Sequence, residues 1–257
     1  MIEFIIIFTM SFLSSLVVLP RCMPILRNKG FTNVDIYKKD KPRIPTKGGI
    51  ITLFTSYMTL SCFPVISRLY NRFFDEGILY TELNTVVLTS MFVISLFAFY
   101  GILDDLVGLS HLTKFILPFC FSFSFVSILD YESLNVPFLA NYDLTVTLFN
   151  SNVAYSDLFV LIIIPIYILV VSNLVNMHSG FNGLQTGLSN ILLITLISVS
   201  IYDDKLDFLL LPVTLLASLL PLWYYNRYPA RIFEGNVGAL SIGACIGIFI
   251  VVQGYYF

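Results

Sequence analysis

The chain predicts an all-α, polytopic membrane fold. Hydrophobic residues make up 57% of it and charged residues only 12%, with a mean hydropathy of +0.87. A soluble domain of this size would carry roughly twice that charge. Apolar runs long enough to cross a bilayer recur along all 257 residues, and a helical span needs about 20 such residues. Lysine and arginine, moreover, fall almost entirely into alternate connections. Together these features describe one integral membrane domain, residues 1–257. Every span in it must be helical, because lipid offers no partner to an unpaired backbone group.

Eight spans are expected, at about 2–20, 48–67, 84–103, 115–130, 158–173, 187–202, 206–225 and 238–257. The first lacks a basic leader and a small-residue cleavage site, so it reads as a retained span. The segments at 115–130 and 187–202 are short, and a tight turn at Tyr202–Leu206 separates two spans. Between the fourth and fifth spans, Asp143 to Leu148 alternates polar and apolar residues. That period of two predicts a strand and, with its partner, a short outer β-hairpin at about 140–155. In the last span Gly243 and Gly247 form a GxxxG pattern, which serves helix packing.

Arg21, Arg27, Lys29, Lys38, Lys39, Lys41, Arg43 and Lys47 crowd the first connection. With eight spans that connection shares a side with 104–114, 173–186 and 226–237, which add Lys114, Arg227 and Arg231. The positive-inside rule makes this side cytoplasmic and both termini external. The opposite connections collect acids, among them Asp75, Asp130, Asp157 and Asp203. A net charge of −2 gives no reason to expect nucleic acid. Cys22, Cys62, Cys120 and Cys245 are scattered and indicate neither a zinc site nor a disulfide framework.

The four cytoplasmic connections carry the polar chemistry. An apolar run opens at Asn173 into Asn176, His178, Ser179, Gly180, Asn182 and Gly183. Taken alone, that stretch is equally well a polar loop or a helix-capping turn. Asp104 and Asp105 end a span, where the helix terminus is already negative, and their mutual repulsion raises the pKa of at least one of them. Lys114 begins the next span, where a cation is also misplaced. A divalent cation beside the acids and an anionic substrate beside Lys114 would resolve both conflicts; mutual neutralisation of the three is the plainer alternative. In the first connection, Lys41, Arg43 and Lys47 flank prolines and precede Gly48–Gly49. Cations at a helix start attract anions, although a basic loop also contacts anionic lipid headgroups. In the last, Arg227 and Arg231 suit phosphate oxygens, while Glu234 and Asn236 offer oxygen ligands to a hard cation such as Mg²⁺. His111 and His178 are weaker candidates for phosphate binding or proton transfer.

Four motifs in this order resemble the polyprenyl-phosphate N-acetylhexosamine-1-phosphate transferases. They are Ile44 to Gly49, Asp104–Asp105 with Lys114, Asn173 to Leu184, and Tyr228 to Asn236. The family includes the bacterial phospho-MurNAc-pentapeptide translocase and the dolichyl-phosphate GlcNAc-1-phosphate transferases. Gly180-Phe181-Asn182-Gly183-Leu184 is similar to the eukaryotic and archaeal branch.

The resemblance implies transfer of a sugar-1-phosphate, GlcNAc-1-phosphate above all, from a UDP-sugar to a polyprenyl or dolichyl phosphate, releasing UMP. It implies Mg²⁺, with Mn²⁺ as the alternative. Asp104, Asp105 and Lys114 would be catalytic, and Lys41, Lys47, Asn173, Asn182, Gly183 and Arg231 would bind the substrates. Asn176, Asn236 and Glu234 would ligate the metal. The expected partners are UDP-N-acetylhexosamine, the lipid phosphate and membrane lipids, and a homodimer or a partner subunit is left open. The membrane would be the cell membrane of a prokaryote or the endoplasmic reticulum of a eukaryote.

Two departures from the family pattern stand out. The family has aspartate where this chain has Asn236. It also has about ten spans and a late basic cytoplasmic region, which lies beyond the end of this sequence at Phe257. A shortened enzyme, a partner-dependent enzyme and a non-catalytic relative that binds lipid phosphate or a partner therefore stand side by side. A transporter ranks behind them, because the ionisable residues sit at span ends and in connections rather than near the midplane.

Overall fold

The computed structural model describes residues 2–74, 83–129, 145–148, 151–154 and 159–254. Among them are eight α-helices: α1 Ile2–Asn28, α2 Gly48–Phe74, α3 Thr85–Val107, α4 His111–Val126, α5 Ile164–Met177, α6 Leu184–Tyr202, α7 Leu210–Asn226 and α8 Gly235–Gln253. Two short antiparallel pairs, a π-helical segment at Phe159–Ile163 and a 3-10 turn at His178–Gly180 complete the described elements. One pair, β1 Thr32–Val34 with β2 Arg43–Pro45, folds the first polar connection back on itself. The other, β3 Thr145–Leu148 with β4 Ser151–Ala154, is the hairpin expected near 140–155. Of the outer acids, Asp75, Asp130 and Asp157 lie outside the described residues.

Among the described residues six helices are long and apolar enough to cross a membrane; Leu112–Val126 and Leu210–Asn226 are shorter apolar helices. This corrects the expected lengths. The segment expected to begin at 187 begins at Leu184, directly after Gly183, so Gln185 and Thr186 belong to a helix. The segment expected from 206 begins only at Leu210, because Asp203 to Leu209 are spent on turns.

The two central helices are α7 and α8. Both are apolar on every side, which is the pattern of a helix enclosed by others, and most of their residues are buried. α1 and α2 pack on α7, while α3 and α5 pack on α8. Lipid removes the hydrophobic drive between helices, so small residues and interhelical hydrogen bonds supply the contacts. Ser11 and Ser15 of α1 donate to the carbonyls of Thr214 and Ser218 at 2.7 and 2.8 Å. Ser172 of α5 donates to the carbonyl of Leu240 at 2.8 Å. A Cβ on Gly243 would lie 2.6 Å from the Cα of Ser172, so the GxxxG face of α8 is the seat of α5.

The same economy of volume fixes the polar end of the bundle. Gly49 at the start of α2 meets the backbone of Gly238 in α8 with no room for a side chain on either. A Cβ on Gly101 in α3 would lie 2.7 Å from the Cα of Val237. α2, α3 and α8 therefore begin or end within contact of one another.

Candidate active site

The four polar connections converge at one end of the bundle. α3 stops because Gly108 takes a left-handed conformation, φ 68°, and its N–H returns to the carbonyl of Asp104. Two residues later Ser110 caps α4 by accepting from the N–H of Thr113. This short reversal swings Lys114, on the first turn of α4, back over the last turn of α3. Its Nζ lies 2.8 Å from each carboxylate oxygen of Asp104. The N–H of Leu109 and the Nδ2 of Asn236 complete the set, each at 3.1 Å. Asp104 is thus buried, ion-paired and held by three donor groups.

Asp105 is differently placed. Its closest cation is Lys47 at 3.8 Å, and its side chain lines a cavity of ≈390 Å³. Lys47 is buried, with its Nζ 5.0 Å from the centre of the Phe31 ring. Its left-handed backbone, φ 73°, turns the chain from β2 into α2. Gly48 N–H and Gly49 N–H then donate to the carbonyls of Phe233 and Glu234 at 2.9 Å each, which ties the first connection to the last.

The opposite wall of the cavity comes from the α5–α6 connection. Asn182 Nδ2 donates to Asp35 Oδ2 at 3.0 Å, and the ring of Phe181 stacks on Tyr37 with centroids 5.1 Å apart. Gly183 N–H and Thr186 Oγ1 donate to Asn226 Oδ1 at 3.1 and 3.0 Å. On the floor lie Gln185 and Glu234, both buried, with Oε1 of each unpartnered. Burial raises the Glu234 carboxyl well above the usual carboxylate range, with the neighbouring Gln185 amide opposing that shift.

The residues singled out in the sequence divide accordingly. Asp105, Asn182, Glu234 and Asn236 line the cavity. Lys47, Asp104, Lys114 and Gly183 adjoin these groups through the contacts given above. Asn176 has a buried Oδ1 with no partner. Asn173 donates to the carbonyl of Leu169 within its own helix, at 2.9 Å. Lys41 is exposed on the connection between β1 and β2. Arg231 packs its guanidinium on Tyr224 and Tyr225 and lines a different cavity. His178 is exposed and bonds the carbonyl of Leu174, while the His111 side chain lies outside the described residues.

Asp35, Tyr37 and Asn226 are cavity residues that sequence reasoning missed. The available signal was a lone aspartate just before a lysine-rich run, and an asparagine closing an apolar span.

Among the described residues no group of three His, Cys, Asp or Glu side chains is arranged to hold a metal ion. A hard cation in the cavity would depend on the Asp105 carboxylate and on amide oxygens that line it, such as the orphaned Gln185 Oε1; Asn176, whose Oδ1 is also orphaned, is not among the lining residues. That donor set fits Mg²⁺, which keeps several waters and substrate phosphates in its shell.

The description "Glycosyl transferase family 4" belongs to a family model that matches residues 86–254. A provisionally named glycosyltransferase of Methanocaldococcus jannaschii is 30% identical over 222 residues, covering 86% of this chain and 59% of that protein. A protein of Sulfolobus acidocaldarius, provisionally named UDP-N-acetylglucosamine–dolichyl-phosphate N-acetylglucosaminephosphotransferase, is 28% identical over 234 residues, covering 90% of this chain and 65% of that one. The phospho-N-acetylmuramoyl-pentapeptide-transferase of Borreliella afzelii is 30% identical over 276 residues, covering 93% and 70%. The chain therefore spans less than two thirds of the length of the first two.

Proposed function

Because the chain belongs to glycosyl transferase family 4, we propose that it transfers a sugar-1-phosphate, GlcNAc-1-phosphate in particular, from a UDP-sugar to a polyprenyl or dolichyl phosphate. An oxygen of the lipid phosphate attacks the β-phosphorus of the donor. The bond from that phosphorus to the bridging oxygen breaks, and UMP leaves. The product starts a lipid-linked glycan.

The observation that carries this reading is the unequal engagement of the two adjacent aspartates. Asp104 is saturated by Lys114, Asn236 and the N–H of Leu109, whereas Asp105 faces the cavity with one cation at 3.8 Å. Asp105 then orients or deprotonates the lipid phosphate. Asp104 fixes the ends of α3, α4 and α8 around it, and Lys47 supplies positive charge to the incoming phosphates. Asn182 and its anchor Asp35 shape the donor side of the cavity. Mg²⁺, held by Asp105 and Gln185 with Asn236 and Glu234 adjoining, would neutralise the diphosphate and the leaving UMP. The lysine and arginine distribution supports a cytoplasmic position for this end.

The test is lipid-linked product formation by the purified chain from labelled UDP-GlcNAc, dolichyl phosphate and Mg²⁺. Asp105→Asn should lower turnover by about 10²–10⁴-fold, the range of a lost catalytic acid or base. Full turnover by that variant would remove Asp105 from the chemistry. A second reading, a non-catalytic relative that binds lipid phosphate, is favoured by one observation: the amide of Asn236 is used to hold Asp104. It predicts donor and lipid binding with no product from wild type.

A further inference from the structure

A second cavity, of ≈480 Å³, lies where the end of α1 meets the β1–β2 hairpin and the connection from α7 to α8. Arg27, Lys38 and Arg231 line it together with Pro20, Met23 and Pro24. Among the described residues lining it there is no carboxylate. The two arginines are held by neutral groups. Arg27 Nη2 donates to the carbonyl of Arg43 at 3.3 Å. Arg231 lies 5.1 and 4.7 Å from the ring centres of Tyr224 and Tyr225. Such partners orient a guanidinium without cancelling its charge. No described carboxylate pairs with either one. Lys38 is different: Nζ lies 2.6 Å from the carbonyl of Ala230 and 3.3 Å from Asp35 Oδ2.

An uncancelled pair of guanidiniums calls for a phosphate. The rest of the lining calls for a lipid. Pro20, Met23 and Pro24 are apolar, and the exposed residues of α1 leading to them include Leu13, Leu16 and Val17. A headgroup in the cavity would have its chains laid along an apolar helix face.

We propose that this cavity binds the phosphate headgroup of an anionic membrane phospholipid. The two cavities share a wall. Lys38 lines this one, Asp35 lines the first, and the two side chains are paired. That wall sets the bound lipid apart from the groups around Asp105, which makes it a resident lipid and not the acceptor substrate. The proposal stands independently of the transferase reading.

Native mass spectrometry of the purified chain in detergent tests it. Phosphatidylglycerol should be retained over phosphatidylcholine. Arg27→Gln and Arg231→Gln should each weaken phosphatidylglycerol binding by about fivefold, the scale of one cation near an anionic lipid surface. Lys29→Gln, exposed at the end of α1 outside the cavity, should leave binding unchanged. Arg27 is exposed, so its variant reports even if Arg231→Gln fails to fold. Equal retention of the two phospholipids, or retention indifferent to both arginines, would overturn the proposal. Two competition arms separate the sources of phosphate. Displacement by equimolar inorganic phosphate would make this a bare phosphate site. Displacement by equimolar polyprenyl phosphate would make it the acceptor site. Either outcome overturns the resident-phospholipid assignment, and resistance to both supports it.

Discussion

Asn236 Nδ2 donates to Asp104 Oδ2 across 3.1 Å, joining the first turn of α8 to the last turn of α3. The family resemblance places aspartate at this position, and a second carboxylate here would face Asp104 with neither proton nor cation between them. The chain has instead a neutral donor that stabilises Asp104. Asn236→Asp should therefore lower stability by about 2 kcal/mol in the absence of divalent cations, from a lost charge-assisted hydrogen bond and a new repulsion. Added Mg²⁺ should recover much of that loss, because it replaces the missing positive charge. Thermal unfolding with and without MgCl₂ reads both effects. Equal melting of wild type and variant without Mg²⁺ would mean that the amide does not support Asp104.

Lys114 is the charged support of Asp104, and the pair is unequally buried, at 34% and 6% side-chain exposure. Lys114→Met leaves Asp104 buried beside only neutral donors, which should cost about 2 kcal/mol, below the 3–5 of a fully buried broken pair. Asp104→Asn with Lys114→Met removes the orphaned charge, so the double variant should be more stable than the sum of the singles by about 1 kcal/mol or more. A double-mutant cycle by chemical denaturation measures that coupling. A coupling near zero would mean that the ion pair contributes nothing to the fold.

Much of this architecture is legible in the sequence, for physical reasons. Lipid forces helices, so apolar runs locate them, and the Asp143–Leu148 alternation locates a strand. Polar residues that violate helix-end electrostatics, such as Asp104 and Lys114, point to one another because each resolves the other's misplacement. Asp35 and Asn226 were invisible for the opposite reason. Neither breaks a local rule, and each gains its role only through partners far along the chain, Asn182 and Gly183. The start of α6 is hidden in the sequence because Gln185 and Thr186 look like loop residues until Thr186 pairs with Asn226 and the Gln185 Nε2 with Ser189. Arg231 sits in a conspicuous motif, yet its direction is set by two tyrosine rings, which periodicity cannot reveal.

Glycines offer a contrast between space and its absence. A Cβ on Gly49 would enter the backbone of Gly238, whereas one on Gly180 would meet nothing within 4 Å. Gly49→Ala should cost about 1–3 kcal/mol, as overpacking a tight contact does. Because that contact holds α2 on α8, the strain reaches Lys47 and Glu234 beside it. Gly180→Ala should stay within about 0.5 kcal/mol of wild type, as surface substitutions do. Comparison of yield and melting temperature decides the matter, and indistinguishable variants would refute the close approach of α2 and α8.

Asp35 anchors the donor side of the cavity. It is 1% exposed and accepts from Asn182 Nδ2, Lys38 Nζ and the N–H of Tyr37. These bonds hold the first connection to the α5–α6 connection, and the Tyr37–Phe181 stack lies beside them. Asp35→Ala leaves the half-buried Lys38 ammonium with only the Ala230 carbonyl and the half-buried Asn182 amide without its acceptor, a loss of about 1–2 kcal/mol. Asp35→Asn preserves shape but weakens the tie to Lys38. Asp35 makes no contact with Asp105 or Lys47 among these bonds, so its loss should act on the binding of donor more than on the chemical step. With labelled UDP-GlcNAc, Asp35→Asn should raise KM by about tenfold, one lost charge-assisted bond, and change kcat by less than about threefold. An equal fall in kcat and kcat/KM would instead place Asp35 in the transition state and redraw the division between the two walls of the cavity.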